Sequence, residues 1–546
     1  MTTLAHMSTQ QKLLLAVLTP FLLWAAWPAG GVAPLLLIAF VPLLILEDTL
    51  LKEKSKRLAT FGIFYLSFLL FNLATTWWVW NASPGGSVMA FLFNSFFMTL
   101  VFLLFHAWRK RWKSNYAYIL LPLAWIGFEY IHMNWDASWP WLTLANGWAA
   151  WYKCVQWYEY TGFAGGTAWI WACNILLFLL VKKIRQQERI TRPATMAFLV
   201  VAVPLVISLV RYYTYVEKED PVNIVISQPN LDPYSDKFYG DNTAHMNRLL
   251  ALAKSNMDSS TQYLVAPETA IAQSMWEEDL NLHRITHLFQ NFAKTYPNLE
   301  IVIGASTDRL YPGGIGRTPT ARKFTRSDDY YDSYNTALQY DSSKQIQIYH
   351  KSKLVPGVEK MPFPALLKPL ENFAIDLGGT SGSLGSQAEV SVFKGKKMIA
   401  PVICYESVYG AFVNEYIEKG AELIFIITND GWWGNTPGYR QHLQYARLRA
   451  IEMRRSIARS ANTGISAFIN QRGDILQQTE WWKESAIAGT LNGNNIRTFY
   501  SYAGDRLAYP CCLALFVMIV ALFFSKAKKR NDATDENIKI RSESID

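Results

Sequence analysis

Residues 400–410 read APVICYESVYG, an apolar run that delivers Cys404 to its end and is followed at once by Tyr405 and Glu406. Such a run fits a buried strand, and a thiol at the carboxyl end of one is placed as nucleophiles are in α/β proteins. A small buried hydrophobe is the plainer alternative, because free cysteine is among the most buried residue types. Working outward, VNIVISQ (222–228), YLVAPE (263–268), EIVIGAST (300–307), QIQIYHK (345–351), MIAPVICYE (398–406) and ELIFIITND (422–430) are further runs of strand length. Helical patterns lie between them. In 437–455, Tyr439, Leu443, Ala446, Ala450 and Met453 repeat on one helical face. Residues 217–500 are therefore predicted to form an α/β domain with a buried sheet, with 311–330 as an exposed excursion.

The flanks are of another kind. Apolar runs near 13–27, 30–46, 61–79, 88–107, 116–133, 163–181 and 195–210, with an eighth at 507–525, approach the roughly 20 residues that span a bilayer. Basic residues follow every second run: Lys52, Lys54, Lys56 and Arg57; Arg109, Lys110, Arg111 and Lys113; Lys182, Lys183, Arg185, Arg189 and Arg192; Lys526, Lys528, Lys529 and Arg530. That alternation predicts seven spans in 1–216 and one in 501–527, with both termini cytoplasmic and the α/β domain on the far side. The net charge of +9 sits in these loops, which suits membrane orientation and not nucleic-acid binding. Residues 12–30 also fit a signal peptide, although a retained first helix is the favoured reading. The loop 134–160 carries six tryptophans and is expected either in the outer interface or packed on the bundle. The charged tail 528–546 is expected to be unstructured.

The five cysteines show no CxxC spacing and the eight histidines no ligand pattern, so neither a metal nor another cofactor is expected. Three strand ends carry reactive side chains: Glu268 in APETA, Lys351 in YHKSKLVP and Cys404 in ICYES. A carboxylate, a cation and a thiol converging on one crevice would make a complete acyl-transfer set.

On these motifs, together with NDGWWG (429–434), the stretch 440–466 and INQRGDI (469–475), the chain resembles the nitrilase superfamily. Its membrane flanks make it similar to the bacterial apolipoprotein N-acyltransferases over nearly the whole length. The resemblance implies a nitrilase-like α-β-β-α sandwich inserted between transmembrane helices. It implies Glu268 as general base, Lys351 as oxyanion-stabilising cation and Cys404 as nucleophile. Glu359 and Glu406 would be supporting carboxylates, with Tyr405 and Trp432 lining the site. The chain has VPGVE at 355–359 where the family usually has VPFGE, which leaves the turn before Glu359 open.

The implied reaction is phospholipid-dependent N-acylation of the diacylglyceryl-cysteine of an apolipoprotein, by a monomer in the bacterial inner membrane with its catalytic domain on the periplasmic face. The run 361–370 would be a lipid-contacting arm or a buried loop. A membrane-tethered amidase using the same three residues is the nearest alternative. A transporter or receptor with a degenerate α/β domain is a remoter one, and Glu129 and His132 would be its candidate intramembrane charges.

Overall fold

A computed structural model of the chain describes residues 7–112, 116–238, 240–296, 298–343, 345–363 and 383–525. The N-terminal bundle comprises α1 (Thr9–Ala26), α2 (Val41–Lys52), α3 (Arg57–Thr76), α4 (Pro84–Trp112), α5 (Ala117–Met133), α6 (Tyr158–Arg185) and α7 (Thr191–Thr214). The expected apolar runs all become helices. Six helices among the described residues are long and apolar enough to cross a membrane, α2 being counted with the turn from Ala33 that leads into it. The α1 helix, 18 residues with polar Gln10, Gln11 and Lys12 in its first turn, and α5, 17 residues, fall short.

The α/β domain is two sheets face to face. Its strands are β1 (Pro221–Gln228), β2 (Tyr263–Val265), β3 (Ile271–Trp276), β4 (Glu300–Tyr311), β5 (Arg322–Lys323), β6 (Tyr330–Tyr340), β7 (Gln347–His350), β8 (Ile399–Ile403), β9 (Leu423–Thr428), β10 (Ser456–Ala461), β11 (Ala467–Ile469), β12 (Ile475–Gln478) and β13 (Ser485–Asn492). The first sheet runs β13-β1-β2-β4-β6-β5, with β3 also on β4 and β7 also on β6; the second runs β12-β11-β10-β9-β8.

Strand alternation builds the layers. Ile224, Ile226, Val265, Val302 and Ala337 join the core shared with the second sheet. Their neighbours Val225, Leu264, Ile301, Ile303 and Leu338 turn outward onto α8 (Asn242–Lys254) and α9 (Arg284–Lys294). Met246, Leu249, Leu250 and Ala253 give α8 its buried stripe, and Asp241 caps it by accepting from the Thr243 N–H at 2.9 Å. On the second sheet lie α10 (Gly410–Glu418) and α11 (Pro437–Met453), and the chain then enters α12 (Phe499–Ser525).

The α11 helix is buried on more than the one predicted face, because it is wedged between the second sheet and the bundle. Its polar residues are satisfied across that seam. Gln441 accepts from Trp141 Nε1 at 2.7 Å, and the Tyr445 hydroxyl accepts from Trp27 Nε1 at 2.9 Å while donating to the Trp141 carbonyl at 3.0 Å. The tryptophan-rich loop supplies much of this contact. Trp141 and Trp148 are buried, so packing decides the place of that loop; Trp151 alone among its six tryptophans is exposed. Glu129 is likewise consumed locally, accepting from Trp125, Thr167 and the Leu144 N–H. Residues 364–370 of the expected arm and the tail 528–546 lie outside the described residues.

Candidate active site

Strand direction brings two of the expected trio, Glu268 and Lys351, together. The β2 and β4 strands are parallel, β6 is antiparallel to β4, and β7 is antiparallel to β6. Glu268 and Lys351 therefore leave the first sheet at the same end. Glu268 sits in a sharp turn after β2, with Thr269 at φ +49°. Gly304 allows it: a Cβ there would lie 2.5 Å from the Glu268 Cα.

Lys351 Nζ donates to Glu268 Oε1 at 3.1 Å and to Glu359 Oε1 at 2.7 Å. Asn335, on β6, donates its amide to the same two oxygens at 2.8 and 3.2 Å. The turn left open by VPGVE closes well. Gly357 takes φ +77°, the N–H groups of Val358 and Glu359 donate to the Val355 carbonyl, and the Val355 N–H donates to Glu359 Oε2 at 2.8 Å. The shifted glycine thus serves the turn and leaves Glu359 on Lys351.

Cys404 follows β8 at φ +50°, an uncommon conformation for a residue with a Cβ, and opens the short helical turn Cys404–Val408. Glu406 fixes that turn. Its Oε2 accepts from the Ile403 N–H at 2.8 Å, and its Oε1 accepts from the Tyr349 hydroxyl at 2.6 Å and the Ser352 N–H at 2.7 Å. One carboxyl group therefore ties the thiol's strand end to the Lys351 loop. Burial pushes Glu406 up to about 7.

The site's charges act on one another. Burial alone would raise the Glu268 carboxyl, but Lys351, Asn335 and Lys237 together hold it below the usual value. Burial lowers Lys351, and the facing Glu268 and Glu359 outweigh it, so the ammonium persists. Burial, then the Glu268 charge, push the Cys404 thiol up, against the pull of Lys351. The resting pair is thus a thiol beside a carboxylate, which calls for a base during attack.

A cavity of about 90 Å³ opens beside these groups, lined by Glu268, Glu359, Asn335, Lys237, Phe238 and Trp432 among others. Trp432 holds the place expected of it, its ring stacked on Phe238. Tyr405 turns away, its hydroxyl donating to the Ser138 carbonyl at 3.1 Å, and it is not among the residues lining that cavity.

Sequence reasoning missed two features. Lys237 is buried, its Nζ donates to the Glu268 carbonyl at 3.0 Å, and burial lowers it to about 8. In the amide orientation that suits its neighbours, Asn429 accepts from both Lys237 and Trp432. Behind the thiol, Asp430 accepts from Thr428 at 2.9 Å and Arg459 at 2.6 Å and meets His442 at 3.0 Å. His442 Nε2 lies 3.2 Å from the Cys404 carbonyl, and Ser407 donates to that carbonyl at 2.7 Å. Little in the sequence singles them out, since His442 lies in a helix rich in Arg and Gln and Arg459 in SIARSA.

The site also borders the bundle. Asn81 donates to the Trp433 carbonyl at 2.9 Å, Trp78 packs on Trp433 with centroids 4.8 Å apart, and Phe363 packs on Trp135 at 5.6 Å.

Both parts of the chain match known families. Residues 20–176 match the apolipoprotein N-acyltransferase N-terminal domain, and residues 226–500 match the carbon-nitrogen hydrolase family. The apolipoprotein N-acyltransferase of Chlorobaculum tepidum is 30% identical over 505 residues, covering 89% of this chain and 91% of that one. The chain belongs to the apolipoprotein N-acyltransferase family. The Geobacter metallireducens member is 26% identical over 529 residues, 94% of this chain and 96% of that one. Among solved structures, a Saccharomyces cerevisiae member of branch 10 of the nitrilase superfamily is similar at 14% identity and a TM-score of 0.35, over 53% of this chain and 96% of that one. The chain is thus an acyltransferase of the nitrilase superfamily and a multi-pass membrane protein.

Proposed function

We propose that the chain transfers a fatty acyl group from a membrane phospholipid to the α-amino group of a diacylglyceryl-cysteine at the start of an apolipoprotein, through a thioester on Cys404. The observation that carries the reading is the Lys351 ammonium bridging Glu268 and Glu359, with Cys404 on its positive-φ turn close enough to feel the charges of Glu268 and Lys351.

In the first half, Cys404 Sγ attacks the ester carbonyl carbon as Glu268 takes the thiol proton. Lys351 offers its Nζ to the oxyanion. Collapse breaks the ester C–O bond, Glu268 returns the proton to the departing hydroxyl, and a lysophospholipid leaves. In the second half, the amine, with an ordinary pKa of about 7.7–8 and so partly neutral near pH 7, attacks the thioester carbonyl. The C–N bond forms and the C–S bond breaks. Glu268 carries the surplus amine proton to the sulfur. Glu359 keeps Lys351 charged, Glu406 holds the Cys404 turn, and Trp432 walls the acyl site.

The alternation of basic loops supports a topology with both termini in the cytoplasm and the catalytic domain outside. A single chain supplies every group named, which supports a monomer as the working unit.

The test is intact-mass analysis of the purified protein in detergent with labelled phospholipid, with and without a diacylated lipopeptide. Acyl mass on Cys404 that moves to the peptide is expected. Acyl label persisting on Cys404→Ala would defeat the mechanism, and release of free fatty acid to water in place of peptide acylation would favour the amidase.

A further inference from the structure

A second cavity, of about 340 Å³, lies at the catalytic-domain ends of α6, α7 and α12. It shares no lining residue with the cavity at Glu268. Glu159 and Tyr160 of the first turn of α6, Arg211 of the last turn of α7, Lys218, Arg454 and Arg497 are among its walls. Four cations there face one lining carboxylate. Glu159 is shared by Arg211, at 2.5 Å, and by Arg454, at 2.6 Å. Lys218 is exposed and makes no hydrogen bond or ion pair among the described residues. Arg497 donates one Nη to the Ser501 carbonyl and reaches Glu418 only at 3.4 Å, and its buried Nε has no partner.

The depth of the cavity limits what fills it. It sits where three membrane helices end, ringed by exposed Tyr160, Val216, Ile496, Phe499 and Tyr502. Aromatic and apolar side chains that stay exposed at helix ends sit at the headgroup level. Below it, Val203, Val206 and Val210 of α7 and Leu513, Phe516 and Val517 of α12 are exposed apolar surface, fit to lie against acyl chains. The volume suits a headgroup, and guanidinium groups pair with phosphate through parallel N–H donors.

We propose that this cavity is a binding site for an anionic phospholipid headgroup, separate from the acyl-transfer site. The bound phosphate joins the ends of α6, α7 and α12 to Arg454, which follows α11, and so pins the catalytic domain to the bundle. Excess positive charge selects a net-anionic lipid over a zwitterionic one.

The full-length protein in detergent is titrated with dioleoylphosphatidylglycerol, with dioleoylphosphatidylcholine, or with inorganic phosphate, and the first bound lipid is followed by native mass spectrometry. The wild type should prefer the phosphatidylglycerol. The double variant Lys218→Gln/Arg497→Gln should bind it about 30-fold more weakly, with phosphatidylcholine unchanged. Lys218→Gln alone, at an exposed and unpaired residue, should weaken it about fivefold and settles the matter if the double variant does not fold. Equal binding of the two lipids by the wild type, or wild-type affinity in Lys218→Gln, would overturn the proposal. Inorganic phosphate displacing the lipid at equal concentration would reduce the site to a simple anion site and overturn the lipid assignment.

Discussion

The two sheets of the catalytic domain bring different kinds of chemistry to one crevice. The first contributes charge: Glu268, Lys351 and Glu359 form a continuous chain of ionic hydrogen bonds, with Asn335 across it. The second contributes conformation: a strained Cys404 on a turn held by Glu406, Ser407 and His442, with Asp430 and Arg459 behind them. Proton-moving groups are gathered where their charges compensate one another. The nucleophile is held by groups that fix the backbone. Substitutions in the first sheet should therefore change rates and pH profiles with little loss of fold, and substitutions in the second should unfold the domain or misplace the thiol.

The sharpest break on the charged side is Glu268→Gln. It keeps the shape, and its amide oxygen can still accept from Lys351, but it removes the base. Acyl-enzyme formation should slow by about 10³-fold, read from single-turnover mass spectrometry. In the wild type, Glu268 is held below its usual value, so it is already ionised at neutral pH. The acid limb of kcat/KM should accordingly fall below pH 4.5, the ordinary value for a glutamate. A limb near 7 would mean that a different group takes the proton.

On the other sheet, Asp430→Asn should cost about 3–5 kcal/mol of stability, because buried Arg459 loses its carboxylate partner. Burial would raise Asp430, but Arg459 and His442 hold it far below its ordinary 3.8. Its stabilisation is thus fully present above pH 3.8 and is lost only as pH falls toward the depressed folded value. Denaturant melts at pH 7 and pH 5 should show the same deficit in the variant.

Within each sheet the strands differed in how far the sequence revealed them. Strands β1, β2, β4, β8 and β9 are apolar runs and were legible as such. The β6 strand reads YYDSYNTALQY and β10 reads SIARSA, and neither looks like a run, because their buried polar groups are satisfied by partners remote in sequence. Asp332 accepts from Thr318 and Thr320, and Arg459 reaches Asp430. The trio was legible because each member ends a strand. Asn335 and Asp430 were not singled out, because their value lies in what another segment brings to them. The VPGVE turn was legible only as a departure, since nothing local says that Gly357 will take the positive φ that returns Glu359 to Lys351.

Glu406 joins the two halves, and its titration tests the joint. Burial raises it to about 7 from 4.5, so the fold favours its protonated form. Its contribution is fully present below pH 4.5 and is lost as pH rises through 7, a change of about 3 kcal/mol. Glu406→Gln should flatten that part of the stability–pH curve. It should also place an amide N–H against the Ile403 N–H and slow acylation by about tenfold or more. An unchanged curve would show that the carboxyl stays hydrated.

Lys237 is the test that separates rate from stability most finely. It belongs to neither sheet, has no hydrogen-bonded carboxylate among the described residues, and touches the charged side only through the Glu268 carbonyl. Burial lowers it to about 8 from 10.5, so the folded state disfavours the ammonium. The penalty, about 3 kcal/mol, is fully present below pH 8 and is relieved as pH rises to 10.5. Lys237→Met removes that penalty and gives up two hydrogen bonds, to the Glu268 carbonyl and to Asn429, each worth about 1 kcal/mol. The variant should therefore melt no earlier than the wild type at pH 7, and be up to about 1 kcal/mol more stable. Its acylation should nevertheless slow by about tenfold, because Glu268 and the developing charge on sulfur lose a neighbouring cation. A variant that is both less stable and fully active would make Lys237 a structural post for the Glu268 turn and leave the chemistry to Lys351 alone.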